Sequence, residues 1–99
     1  MKIYKHAREN YIKRVLNLEM RMASEEVEQF ALEQIEKAVY RPDIIYASDD
    51  DREQVHIRNG CAVPVRKDGD ELSEVPTAYN AGTFFDKIDD YAESAKARN

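Results

Sequence analysis

The chain has 99 residues, 42% of them apolar, and a formal net charge of −5 at pH 7. That length supports a single domain with one modest core, and no apolar run approaches the roughly 20 residues needed to span a bilayer. The lone cysteine, Cys61, has no partner for an internal disulfide, and the opening Met1-Lys2-Ile3-Tyr4-Lys5-His6 lacks the apolar stretch of a secretory signal, so a reducing, cytoplasmic setting is the expectation.

Charge is unevenly spread. Residues 1–16 carry Lys2, Lys5, Arg8, Lys13 and Arg14 against Glu9 alone, whereas the remainder is acidic. A basic segment on an acidic body suits one local anion site rather than a surface that coats nucleic acid. The same segment has helical periodicity, with Tyr4, Ala7, Tyr11, Val15 and Leu18 on one stripe. His6, Asn10, Lys13 and Arg14 fall on the opposite face. A second helical stretch follows, with Val27, Phe30, Ala31, Ile35 and Ala38 inward. Ser24 is its expected N-cap, and Glu25 and Glu26 lie where the helix dipole favours acids. The break is therefore set near Ala23-Ser24, one unbroken helix over 3–39 being the alternative. Pro42 forces Arg41 toward extended geometry and ends the helical half.

From Asp43 the period becomes two. Asp43-Ile44-Ile45-Tyr46 reads as a strand, and Ser48-Asp49-Asp50-Asp51 as its polar turn. A calcium loop needs spaced oxygens and a glycine, which that acidic run does not have. Glu53 to Arg58 alternates Val55 and Ile57 against Gln54, His56 and Arg58, and Asn59-Gly60 then signals a hairpin. A two-residue loop would put Val55 and Ile57 on the face opposite Val63 and Val65. A three-residue loop gathers all four on one face and is the expected register. On that register His56, Arg58, Ala62, Pro64 and Arg66 form an outward, partly basic face. Leu72 to Asn80 reads as a last strand with Val75, Thr77 and Tyr79 together, Pro76 marking an edge or bulge. Thr83 is the expected cap of a C-terminal helix carrying Phe84, Ile88, Tyr91 and Ala92 inward.

The fold expected is α+β, with two N-terminal helices packed on one face of a four-stranded antiparallel sheet, plus a C-terminal helix. It forms a single domain over 1–99, divided into a helical half 1–40, a sheet 43–80 and a helix 83–96.

Three short motifs, in order, carry a family resemblance. They are Lys5-His6-Ala7 followed by Arg14; Arg41-Pro42-Asp43-Ile44-Ile45; and Val63-Pro64-Val65-Arg66-Lys67-Asp68-Gly69 leading to Val75-Pro76-Thr77-Ala78-Tyr79. Over residues 5–80 the chain resembles the nuclease-fold superfamily that unites barnase-like, EndoU-like, colicin-type tRNase and RelE-type proteins (BECR-type), in particular small prophage-associated members. The resemblance implies an RNA-cleaving, toxin-like protein or a degenerate relative, working without metal or other cofactor. In that chemistry the ribose 2′-hydroxyl attacks the adjacent phosphorus. His6 suits proton transfer near neutral pH, and Arg14 suits the charge of the phosphorane. Thr77 and Tyr79 would supply hydroxyls. Lys13, His56 and Arg58 are the further RNA-binding candidates.

Implied partners are RNA and a protein, either an antitoxin or a host target, with the chain a monomer or a homodimer and no membrane involved. Two other classes fit the same residues. One is a small acidic phage or prophage protein that inhibits a host protein, its second helix and Asp49-Asp50-Asp51 imitating nucleic-acid charge. The other is a structural or oligomerisation module, with an unpaired strand edge or the long N-terminal helix as its dimer surface.

Overall fold

The structure is a computed structural model that describes residues 1–47 and 52–84. It is α+β, and its sheet is mixed and six-stranded rather than four-stranded and antiparallel. In chain order the elements are β1 (Lys2–Ile3), α1 (Lys5–Arg14), a 3₁₀ turn (Met20–Met22), α2 (Glu25–Tyr40), β2 (Ile44–Ala47), β3 (Glu53–Arg58), β4 (Cys61–Asp68), β5 (Glu71–Val75) and β6 (Tyr79–Asn80). The strands run β1-β5-β4-β3-β2, and β6 joins the same side of β4 as β5. The short β1 lies parallel to β5, with Ile3 beside Val75.

The helical half breaks where local chemistry asks it to. Asn17 adopts a left-handed φ of 58°, which lets the Leu18 amide reach back to Ile12 O at 3.0 Å and closes the end of α1. Ser24 caps α2, its Oγ accepting from Val27 N at 3.2 Å. Glu25, Glu26 and Glu28 occupy the first turn of α2 and Lys37 the last, each complementing the helix dipole. The buried face of α2 is Ala31, Ile35, Ala38 and Val39, while Phe30, expected inside, is 44% exposed. Leu18 likewise lies past the end of α1 and is exposed.

The β3–β4 hairpin turns in two residues. Arg58 pairs with Cys61, and both Asn59 (φ 49°) and Gly60 (φ 76°) are left-handed, as a type I′ turn requires. The expected three-residue loop does not form, so Val55 and Ile57 face away from Val63 and Val65. That register is stable because apolar cover lies on both faces. On the helix side Cys61, Val63, Val65, Val75 and Ala78 pack with Ala7, Tyr11, Ile12, Ile35 and Val39. On the other side Val55, Ile57, Ala62 and Ala81 gather with Tyr46, Tyr79 and Phe84. His56 is consequently turned under α2 and is 2% exposed, not outward. Ala62 and Pro64 are buried too.

The expected strand over 72–80 is broken at Pro76-Thr77-Ala78. β5 pairs with β4 at 66–68, and β6 pairs with it at Cys61 and Ala62. Between them, Pro64 sits where β4 has no ladder partner on that side, so its missing N–H breaks no bond there. After β6, residues 81–84 are helical. Their cap is Asn80, whose Oδ1 accepts from Gly82 N (2.9 Å) and Thr83 N (3.3 Å), and not Thr83. The rest of the C-terminal helix expected over 83–96, and the turn expected at Ser48–Asp51, lie outside the described residues.

Candidate functional site

The break between β5 and β6 runs alongside α1 and is stitched to it by polar contacts. Tyr4 N donates to Val75 O at 3.1 Å, at the start of α1. One and a half turns on, Asn10 Nδ2 donates to Thr77 Oγ1 at 2.7 Å. Arg14 Nη1 donates to Ala78 O at 3.1 Å and lies 3.5 Å from Thr77 Oγ1. Asn80 Nδ2 closes the series on Arg14 O at 3.2 Å. Residues 76–80 therefore follow the polar face of α1 in the same direction, and Asn10 is held at 5% exposure between them.

At the C-terminal end of this seam the surface opens into a cleft of about 370 Å³ lined by Lys13, Arg14, Asn17, Tyr79, Asn80, Thr83 and Phe84. Arg14 is exposed, yet its guanidinium is fixed. One nitrogen is bonded to Ala78 O, and Cζ lies 4.8 Å from the centroid of the Tyr79 ring. The Tyr79 and Phe84 rings adjoin at 5.5 Å with a 31° tilt. Lys13 enters no ion pair with any described residue, whereas Lys5 is near Glu9 (4.0 Å) and Arg66 is paired with Glu74 (3.1 Å). Among the described residues the cleft thus has two cations, two aromatic rings and uncharged polar groups, and no carboxylate.

Of the residues singled out from sequence, Arg14, Lys13, Thr77 and Tyr79 meet along this seam. His6 stands on the same helix one turn before Asn10, about 6 Å along the axis; it is exposed and does not line the cleft. Thr77 lies between the turns that bear His6 and Arg14. His56 and Arg58 are elsewhere. His56 Nδ1 is 2.9 Å from Val39 O in the last turn of α2, and Nε2 is 2.9 Å from the Gln54 amide oxygen. Burial lowers its pKa, against the opposing pull of the Val39 and Ala38 carbonyls. Arg58 Nη1 donates to Arg41 O at 2.7 Å and ties the hairpin to the end of α2. Both side chains serve the fold. Burial pushes the Cys61 thiol up to about 12, which leaves it protonated and unreactive at neutral pH.

Sequence reasoning gives Asn10, Asn17, Asn80 and Phe84 no role at the site. The signal for Asn10 was available, since His6, Asn10 and Arg14 follow one another at four-residue spacing on one helix face. Asn80 could be read only once Thr83 was displaced as the cap. Among the described residues no group of three or more His, Cys, Asp or Glu side chains is placed to hold a metal ion. No described helix is long and apolar enough to cross a membrane. Comparison with family models, with curated proteins and with solved structures found no match in any of the three.

Proposed function

We propose that the chain binds single-stranded RNA along the seam between α1 and residues 76–80 and cleaves it without a metal. The observation that carries this reading is the Arg14 guanidinium, held by Ala78 O and the Tyr79 ring at the mouth of a cation-lined cleft on an otherwise acidic protein. Fixed donors aimed at a phosphate need no reorganisation when charge develops on it. In the proposed step the scissile phosphate sits over Thr77, outside the cleft and between the turns that bear His6 and Arg14; the 2′-hydroxyl oxygen bonds to its phosphorus and gives its proton to the His6 imidazole. The bond from phosphorus to the 5′-oxygen breaks, and that oxygen takes a proton from water. The products are a 2′,3′-cyclic phosphate end and a 5′-hydroxyl end. Arg14 and the Thr77 hydroxyl hold the phosphoryl oxygens, and Lys13 holds a neighbouring phosphate.

The test is incubation of the pure protein with single-stranded RNA in EDTA, with the fragment ends identified. Cyclic-phosphate ends are expected, and His6→Ala should remove cleavage by about 10²-fold or more while leaving RNA affinity intact. Undiminished cleavage by His6→Ala would remove the imidazole from the reaction. Absence of cleavage with retained binding would reduce the protein to an RNA binder.

A second reading, of a module that pairs with another protein chain, is favoured by the outer edge of β2, which no other described strand pairs. Ile44 and Ile45 are 42% and 50% exposed on that edge, and Tyr40 beside it is 64% exposed; an apolar strand edge is a template for pairing. Light scattering across a hundredfold range of concentration distinguishes the two. A mass that rises toward the dimer and falls back with Ile45→Lys supports the module, and a constant monomer mass removes it.

A further inference from the structure

We infer that the cleft at the end of α1 takes one unpaired nucleobase of the bound strand, stacked on the outward plane of the Arg14 guanidinium, with that nucleotide's phosphate at Lys13. The inference rests on the RNA reading above and adds what the cleft itself recognises.

Three features of the cleft lead to it. First, Arg14 offers a plane as well as a charge. Its Cζ lies 4.8 Å from the Tyr79 ring centroid and one nitrogen is bonded to Ala78 O, while the residue remains exposed. The guanidinium is therefore tethered at two points where it lines the cleft, with exposed surface left for a ligand. Unpaired bases stack on such guanidinium planes as they do on aromatic rings. Second, the walls match a base with its phosphate rather than a bare anion. Phe84 extends the aromatic surface beyond Tyr79, and Lys13 supplies the cation for the phosphate. Asn17, which the left-handed turn at the end of α1 sets at the cleft, brings an amide with both a donor and an acceptor for a base edge. Third, size and field limit the site to one nucleotide. A volume of about 370 Å³ is at the small end of ligand pockets, and the net charge of −5 disfavours contact with a long stretch of phosphates elsewhere. A bare phosphate would use the two cations and leave both rings and the amide idle.

The experiment compares a labelled six-nucleotide single-stranded RNA with an oligomer of the same ribose–phosphate backbone that lacks its bases, by fluorescence anisotropy at fixed salt. The abasic strand is expected to bind about tenfold more weakly, the scale of one stacked base. Arg14→Lys, which keeps the charge and removes the plane, should weaken the base-bearing strand more than the abasic strand, so that the roughly tenfold preference for the base-bearing strand is largely lost, with its melting temperature confirming the fold. Asn17→Ala should weaken the base-bearing strand alone. Equal binding of the two strands, with Lys13→Ala weakening both, would overturn the stacking site and leave the RNA reading standing. No binding of either strand by the unaltered protein would overturn both.

Discussion

Replacing Arg14 with methionine is expected to weaken binding of single-stranded RNA by about 2–4 kcal/mol, a factor of roughly 30 to 1,000, and to abolish cleavage. The estimate combines a charge-assisted contact to phosphate with a lost stacking surface. Methionine is unbranched and apolar, so it can still lie against Tyr79, and the change removes charge and plane rather than packing. The Ala78 carbonyl loses the 3.1 Å donor, but Arg14 is exposed and water can take the donor's place, so folding stability should fall by no more than about 1 kcal/mol. Affinity measured against salt adds an independent check. The two proposed phosphate contacts, at Lys13 and Arg14, would give a slope of about −1.4 in log affinity against log salt for a single strand, and Arg14→Met should bring it to about −0.7. Unchanged affinity and slope in a folded variant would mean that RNA is not held at this cleft.

Residues whose role is local were legible in the sequence, and those whose role is set by distant packing were not. Ser24 caps α2 and Asn59-Gly60 turns the hairpin because each depends only on its own few neighbours. Register escaped the pattern because it assumed one buried face. Val55 and Ile57 cover one side of the sheet while Val63 and Val65 cover the other, so alternation could not choose between loops of two and three residues. The parallel pairing of β1 involves only Lys2 and Ile3, too short a run to show any period. For the site, residue types and helix spacing placed Lys13 and Arg14 on one face, but the contact of Arg14 with Thr77 and Ala78 joins positions more than sixty apart. Pro76 hinted at a break in the last strand. Nothing local showed that this break would lie along α1 and turn Thr77 toward Asn10.

His56 gives the largest expected effect on stability. It was expected on an exposed face, and the two-residue turn instead carries it under the last turn of α2. Val39 O can only accept, so Nδ1 carries the proton. In the neutral ring Nε2 can only accept, so the Gln54 amide, whose oxygen stands at this 2.9 Å contact, is assigned the flipped orientation in which its nitrogen donates. His56→Ala removes the donor to a helix-terminal carbonyl and leaves space beneath Val39, so unfolding in urea should show a loss of about 2–4 kcal/mol. The pH dependence follows from the lowered pKa. The unfolded chain takes up a proton at His56 near pH 6.5, and the folded chain only at lower pH. Stability from this group is thus complete above about pH 6.5 and declines as the pH falls through the folded value, by at most about 1.4 kcal/mol per pH unit. His56→Gln keeps a side-chain amide to donate to Val39 O and cannot titrate. Its stability should therefore vary less than that of the unaltered protein between about pH 7.5 and 5, and an identical pH profile for the two would show that His56 is not the titrating group.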